Sequence, residues 1–260
     1  MHILLAIQFA LSASLPAHAS PGADLAELKK LNPHRIHRGV PQAPRIPDSA
    51  YIEALSGGVV SGIEGVEGVA AAKGWGVMVM QHPIEQIWAT VNDETIQPGV
   101  MPVSHSFVIQ GKRWQPERKV FQFMPLPFPI SDRWWMTQVH FSSKLYTESE
   151  GRIWEMYWSD RTHLDTPPEQ VKDIAEDGVP VAWSRGAWML IQLDEQTTLV
   201  EYYVWSDPGG LLPAGPASKF AAGAVEETLA AMDMLSAKTG KKALATGRVK
   251  APDSSPVSFP

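Results

Sequence analysis

The alternation of apolar and polar residues is most regular in the middle of the chain, where it predicts an antiparallel hairpin. Residues 134–146 and 152–160 are rich in aromatic and β-branched residues, and the turn-forming sequence Glu-Ser-Glu-Gly at 148–151 joins them. Proline cannot donate to a central ladder, so the chain is expected to turn a corner just before the hairpin, at Pro125, Pro127 and Pro129.

This hairpin carries an unusual number of large rings. Neighbouring residues of a strand project to opposite faces of a sheet, so one face cannot hold all of them. We therefore expect either that both faces of the sheet are covered, or that one face lines a wide apolar cavity. The rings belong to Trp134, Trp135, Phe141, Tyr146, Trp154, Tyr157 and Trp158.

Further strands are predicted on both sides of the hairpin by the same pattern. They lie within residues 57–80, 100–110, 119–124, 181–193 and 198–206. Short helices are expected at 23–31, after Pro83 and after Pro168, and a long one at 215–237. Apolar residues at three- and four-residue spacing give the long helix one buried face, made of Phe220, Ala221, Val225, Leu229, Met232 and Leu235.

The first nineteen residues have the pattern of a secretory leader. An apolar run from Ile3 to Ala13 is too short to span a bilayer, and Ala17 and Ala19 flank His18 in a small-x-small pattern. We expect cleavage between Ala19 and Ser20 and a periplasmic or secreted protein. No Lys or Arg precedes the apolar run, so a wrongly assigned start or a membrane-associated helix is the alternative.

The remaining chain divides into three parts. Residues 20–55 form a Pro-rich, partly helical lead-in, residues 56–238 one domain, and residues 239–260 a Pro- and Ser-rich tail that we expect to be disordered. The chain contains no cysteine, so a packed core rather than disulfides must stabilise it, and a domain of this size can build one.

Charge argues against nucleic acid as a partner. The net charge is −6, with a sequence pI of about 5.7. One basic concentration occurs in the lead-in, at His34, Arg35, His37 and Arg38. We expect the lead-in to be a solvated, largely extended segment that packs along the domain, rather than a patch that docks a partner.

No motif in the chain names a catalytic reaction. G-x-S-x-G and H-E-x-x-H are absent, and His34 and His37 have no third ligand in view, so we expect neither a metal site nor a cofactor. His140 lies in the first central strand among apolar neighbours. A hydrogen-bonded core or pocket histidine is the main interpretation, and a general base the lesser one.

The order of the elements resembles the START-like superfamily, also called the SRPBCC or helix-grip proteins. Three segments carry the resemblance: VMVMQHPIEQIWATVND from Val77 to Asp93, PFPISDRWW from Pro127 to Trp135, and the Asp-Pro-Gly-Gly turn of residues 207–213 before the final helix. The resemblance covers about Ser56 to Lys238. We expect a bacterial member of this superfamily that carries a signal peptide. Some animal sterol-binding members have an arginine in the strand after the second segment, whereas residues 134–140 contain none.

The resemblance implies an α+β helix-grip fold, in which a bent antiparallel sheet wraps around a long C-terminal helix and encloses an apolar cavity. It implies binding and transfer of one hydrophobic molecule such as a sterol, phospholipid, fatty acid or terpenoid, without a cofactor. We expect a monomer that contacts membranes only transiently.

Strand parity selects a set of residues for the cavity wall. Two alternatives remain open. The other face of the first central strand, with Met136, Gln138 and His140, could line the cavity instead, or the selected residues could simply form a packed core. The selected residues are Trp135, Thr137, Val139, Phe141, Trp154, Met156, Met189, Ile191, Tyr202 and Val204 from the strands, and Phe220, Val225 and Met232 from the final helix.

Two other functions are compatible with the sequence. The first is an enzyme of the polyketide cyclase, aromatase or hydratase kind, using His140, Tyr202 or Glu155 as its acid–base group. The second is a scaffold that binds another envelope protein through its sheet or its basic lead-in.

Overall fold

The computed structural model describes residues 21–66, 69–98, 101–209 and 214–257. The helices are α1 Pro21–Lys30, α2 Asp48–Leu55, α3 Ile84–Val91, α4 Ser143–Glu148, α5 Glu169–Glu176, α6 Ala214–Leu235 and α7 Lys241–Leu244. The strands are β1 Val59–Val66, β2 Val69–Met80, β3 His105–Gln110, β4 Arg118–Met124, β5 Arg133–Phe141, β6 Ile153–Asp160, β7 Val179–Pro180, β8 Trp183–Gln192 and β9 Thr198–Asp207. No helix in these ranges combines the length and apolar character needed to cross a membrane.

The nine strands form one sheet in the order β1-β2-β9-β8-β6-β5-β4-β3, with the short β7 beside β5. All neighbours along this order are antiparallel, and the β5–β7 pair is parallel. The long helix α6 lies across one face of this sheet, which we call the inner face. The predicted α+β helix-grip fold is confirmed.

The inner face is covered by α6 and by the short helix α3. Val225, Leu229 and Met232 of α6 are fully buried, as their four- and three-residue spacing predicts. They join Trp88 of α3 in the largest hydrophobic cluster of the described residues. Helix α6 packs on β1, β2 and β9, so it covers only one half of the inner face.

The tail is ordered as far as Val257, and the prediction of disorder over 239–260 is wrong for this part. A π-turn at 236–240 and helix α7 continue directly from α6. Val249, Ala251 and Val257 are buried in the inner-face cluster, and the indole N–H of Trp88 donates to the carbonyl of Lys250 at 2.7 Å. Composition suggested disorder, but these few apolar residues fit the groove beside α3.

The predicted hairpin is also interrupted. Strand β5 ends at Phe141 instead of continuing to Tyr146, because helix α4 follows and buries Leu145. The turn at Glu150 and Gly151 adopts positive φ angles of 53° and 78°, and it leads into β6.

The other face of the sheet, the outer face, is covered by the lead-in with α1, α2 and the 3₁₀ turn at 32–37. The sequence suggested that the basic residues of this segment are solvated. Arg35 and Arg38 are instead mostly shielded from solvent. Both reach Glu201 of β9, which is fully buried. Arg35 donates twice to this carboxylate, at 2.9 and 2.6 Å, and Tyr51 donates at 2.9 Å.

Glu201 holds its charge in this apolar setting only because of these partners. Burial on its own would raise the pKa of Glu201, but the guanidinium groups of Arg35 and Arg38 outweigh burial and lower this pKa to about 2. Tyr203 also donates to the same carboxylate and stacks against the guanidinium of Arg38. The lead-in is therefore fixed to the sheet by a buried ion network.

The Glu201→Gln substitution is expected to lower the free energy of unfolding by about 3–5 kcal/mol at neutral pH, because two mostly buried guanidinium groups lose their counter-charge. Equilibrium denaturation measures this change. The Asp48→Asn substitution, which removes the exposed Lys29–Asp48 pair of the same segment, is the control and is expected to cost less than about 1 kcal/mol. Equal effects of the two substitutions would contradict the buried network.

The same carboxylate predicts the response to acid. Its pKa is lower in the folded protein than its ordinary value of 4.5, so its contribution is complete above about pH 4.5 and disappears as the pH falls towards 2. The wild-type protein is expected to lose stability over this interval more steeply than the Glu201→Gln variant does. Parallel slopes in denaturation experiments at graded pH would refute this assignment.

A second stability prediction concerns the contact between helix α6 and the sheet. A Cβ atom added at Gly76 of β2 would lie 2.4 Å from Val225 Cγ1 and 2.7 Å from Leu229 Cδ1. We expect Gly76→Ala to lower the free energy of unfolding by about 1–3 kcal/mol, since the core must shift. Gly65→Ala on β1 is the matched control, because its Cβ would meet nothing within 4 Å. A Gly76→Ala variant as stable as the control would show that α6 does not rest on β2 here.

Candidate functional site

A cavity lies on the half of the inner face that α6 leaves uncovered. Residues of strands β4, β5, β6, β8 and β9 line it, together with Val225 and Thr228 of α6. The segment after α3, around Glu94 and Met101, closes one side. Its volume is about 150 Å³.

Cross-strand register decides which residues reach this cavity. Residues directly opposite each other in an antiparallel pair project to the same face of the sheet. Met156 pairs with Trp188, and Trp188 pairs with Tyr202, so these three side chains form one row on the inner face. Of the predicted residues, the cavity wall contains Trp135, Thr137, Val139, Met156, Tyr202, Val204 and Val225.

Met189 and Ile191 do not line the cavity, and their prediction is wrong. Met189 pairs with Glu201 and Ile191 with Leu199. Met189, Ile191 and Leu199 belong to the outer-face cluster. Strand β8 is buried on both faces, so its sequence lacks the alternation that would have revealed its parity. Its true contributions to the wall are Ser184 and Trp188.

Three further predicted residues lie on the inner face but outside the cavity wall. Phe141 and Trp154 pack against the indole of Trp88, with ring centroids 4.7 and 5.4 Å apart. Met232 is fully buried in the same cluster. These side chains form a solid core beside the cavity. Phe220 lies outside the residues whose side chains the structure describes.

The opposite parity on β5 points away from the cavity. Met136 is buried in a separate cluster with Phe121 and Trp134. His140 lies 2.8 Å from Glu117 through Nδ1, and its ring stacks on Tyr157.

The three acid–base candidates of the enzyme hypothesis are therefore not gathered in one place. Glu155 pairs with Met189 on the outer-face side of β6, where Ser142 and the backbone N–H of Gly39 donate to it. His140 also faces away from the cavity, so Tyr202 alone of the three lines it. Burial raises the pKa of the Tyr202 phenol well above its ordinary value, so this group stays protonated at neutral pH.

A polar corner of the cavity was not predicted from the sequence. Glu94, in the 3₁₀ turn after α3, and Arg118, at the start of β4, are both almost completely buried. Arg118 Nε donates to Glu94 Oε1 at 2.7 Å, and Arg118 Nη2 donates to Asn92 Oδ1 at 2.9 Å. Because the two residues lie 24 positions apart, no local pattern could have indicated this pair.

A second polar row lies next to this pair. Gln97 Oε1 accepts hydrogen bonds from Ser106 at 3.0 Å and from Gln122 at 2.9 Å. Gln122 Oε1 accepts from the indole N–H of Trp135 at 2.9 Å. Gln97, Gln122 and Trp135 line the cavity, so it combines apolar walls with one polar corner. Such a site suits a largely apolar molecule with a small polar group.

Comparison with solved structures gives the same fold at low sequence identity. A fragment of the STAR-related lipid transfer protein from Xanthomonas axonopodis is 17% identical, with a TM-score of 0.58 over 70% of this chain and 94% of that chain. Human STARD10 is 15% identical, with a TM-score of 0.58 over 80% of this chain and 86% of that one. Human StAR-related lipid transfer protein 5 is 14% identical, with a TM-score of 0.53 over 84% and 97% of the two chains.

No protein-family model and no curated protein sequence matches the chain. At these identities the structural likeness establishes the START-like, helix-grip fold.

Proposed function

We propose that this protein binds one hydrophobic, lipid-like molecule in the cavity between its sheet and helix α6. The observation that carries the proposal is a cavity with largely apolar walls, including Val139, Met156, Val204 and Val225, inside a helix-grip fold. The solved structures with this fold include proteins described as lipid transfer proteins, which supports the same class of ligand here. Sterols, phospholipids, fatty acids and terpenoids are the candidates.

Apolar burial supplies enough free energy for such binding. Removing about 400 Å² of apolar ligand surface from water contributes roughly 10 kcal/mol at 25 cal/mol per Å². The cost of immobilising the ligand, about 4 kcal/mol or more, reduces this gain, so the affinity rises with the apolar surface that a ligand buries. The cavity volume of about 150 Å³ suits one ligand rather than two.

We further infer that the protein acts as a monomeric carrier outside the cytoplasm. The apolar run of residues 3–13 and the small residues before Ser20 support export through a cleaved leader. Ligand exchange with a membrane then requires only transient contact, because the ligand travels inside the protein.

Filling the cavity tests the proposed function directly. Thr137 lies in the cavity wall, and Gln138 is its neighbour on the other face of β5. Thr137→Trp is expected to reduce binding of radiolabelled lipids to less than about a tenth of the wild-type level, because the indole occupies the ligand's space. The panel contains one sterol, one fatty alcohol, one fatty acid and one phospholipid.

The matched control for this experiment is Gln138→Trp, which is expected to keep lipid binding near the wild-type level. Circular dichroism verifies that both variants are folded. If the wild-type protein binds none of the four lipids, or if folded Thr137→Trp binds as well as wild type, the cavity is not the ligand site.

The export proposal has a separate test. Expression of the full sequence in a bacterium with an outer membrane, followed by N-terminal sequencing of the periplasmic or secreted protein, is expected to give a chain that starts at Ser20. A protein that stays in the cytoplasm and retains Met1 would contradict the proposal.

A further inference from the structure

Three polar side chains form a hydrogen-bonded chain on the outer face of the sheet, away from the cavity. His140 Nδ1 lies 2.8 Å from Glu117 Oε1, and His140 Nε2 lies 3.3 Å from Ser159 Oγ. The two contacts use opposite nitrogens of one imidazole ring, so the ring bridges a carboxylate and a hydroxyl. This is the arrangement in which a histidine, oriented by an acid, activates a serine as nucleophile.

The register of the sheet brings these groups together from three separate parts of the chain. Gln138 of β5 pairs with Ser159 of β6, and His140 pairs with Tyr157, so these side chains project to one face. Glu117 is the last residue before β4, the other neighbour of β5. Its φ angle of 57° is uncommon for a residue with a Cβ atom, and backbone outliers of this kind concentrate at functional sites.

The chemistry of the three groups assigns the protons. An ionised carboxylate only accepts hydrogen bonds, so His140 Nδ1 carries the proton that is donated to Glu117. In the neutral ring Nε2 is then the acceptor, and it faces the hydroxyl of Ser159. The ring of Tyr157 stacks on the imidazole with centroids 4.9 Å apart and holds it in this orientation. His140 is therefore arranged to take the proton of Ser159 as a general base.

This group of residues is within reach of a substrate. Ser159 is partly buried, and the side chains of His140 and Glu117 are 23% and 67% exposed. None of the three lines the cavity. A site at the surface accepts a small substrate, or a short acyl group on a larger one, without any opening of the fold.

Positive charge lies on the same face. Lys119 of β4 pairs with Gln138, and its ammonium group lies 2.8 Å from Asp165. Arg161, two residues after Ser159, donates to the same carboxylate at 2.9 and 2.7 Å. Two cations share one anion, so this group carries one net positive charge. Such a charge favours the negative charge that develops on a carbonyl oxygen under attack.

We propose that Ser159, His140 and Glu117 form a second, catalytic site that hydrolyses esters of short acyl groups. Ser159 Oγ bonds to the carbonyl carbon while His140 Nε2 takes its proton. The bond from carbon to the alcohol oxygen then breaks, and the alcohol leaves with that proton. Water next attacks the acyl-serine and gives a proton to His140, the carboxylic acid is released, and Ser159 Oγ regains its proton.

The roles differ among the three residues. Ser159 and His140 touch the reacting atoms, whereas Glu117 is a positioning residue that keeps the proton on Nδ1. The site presents a charge and not a pair of aimed N–H donors, so esters are the expected substrates and the more stable amides are not. This activity goes beyond the proposed lipid binding and does not depend on it.

A fluorophosphonate probe tests the nucleophile in the purified wild-type protein. An activated serine displaces fluoride from the probe and keeps the phosphonyl group, while its proton passes to the histidine. Peptide mass spectrometry then identifies the modified residue. We expect the label on Ser159, no label at this position in Ser159→Ala, and labelling at least about a hundredfold slower in His140→Gln.

The matched control is Ser104→Ala. Ser104 Oγ also lies near a histidine, 3.0 Å from Nδ1 of its sequence neighbour His105, so it controls for a simple serine–histidine contact. This variant is expected to be labelled on Ser159 at the wild-type rate.

Hydrolysis of p-nitrophenyl acetate tests catalysis. The wild-type kcat/KM is expected to exceed that of Ser159→Ala and of His140→Gln by at least about a hundredfold, and Ser104→Ala is expected to match the wild type. Glu117→Gln is expected to lower kcat with KM nearly unchanged, and Glu117→Asp to restore part of the loss. A purely structural role of Glu117 would not give this split and rescue.

The outcomes decide the proposal without involving the cavity. A wild-type protein that is not labelled on Ser159, or a folded Ser159→Ala variant that hydrolyses the ester at the wild-type rate, would overturn it. Circular dichroism verifies folding, and if Ser159→Ala does not fold, the position of the label in the wild-type protein decides alone. Lipid binding is measured separately and is expected to be unchanged in Ser159→Ala, so failure of one activity leaves the other standing.

Discussion

The structure depends on the close contact between helix α6 and strand β2. Gly76 has no side chain, so Val225 and Leu229 lie directly on the backbone of the sheet. This contact holds the helix against β1, β2 and β9 and away from β4, β5 and β6. Because α6 packs on only one half of the inner face and α3 covers part of the rest, a cavity remains on the area that neither helix fills.

The outer face stabilises this arrangement from the other side. A bent sheet that encloses a cavity gives up part of its core packing, and the lead-in contributes a second hydrophobic cluster behind it. The buried network of Glu201 with Arg35 and Arg38 fixes that cover in one register. Apolar contacts alone would allow the lead-in to shift along the sheet. The ion pairs of Glu201 with the two guanidinium groups form in only one relative position of the lead-in and the sheet.

Local patterns in the sequence were sufficient for the fold but not for all of the site. The three-and-four spacing of α6 identified Val225, and the alternation of β5 and β9 identified Thr137, Val139, Tyr202 and Val204. Strand β8 is buried on both faces, so no alternation could place Met189 and Ile191, and only cross-strand pairing assigns them to the outer face. Glu94 and Arg118 meet through the fold alone, and a tail that looks disordered by composition packs because a groove beside Trp88 receives it.

The central claim is that the cavity holds one apolar molecule. Native mass spectrometry of the purified protein, with solvent extraction and identification of what is released, tests it most directly. The account predicts a single added mass per chain that solvent extraction releases as a lipid-like molecule. A chain that carries no added mass, and that also gains none after incubation with sterols, fatty alcohols, fatty acids and phospholipids, would contradict it.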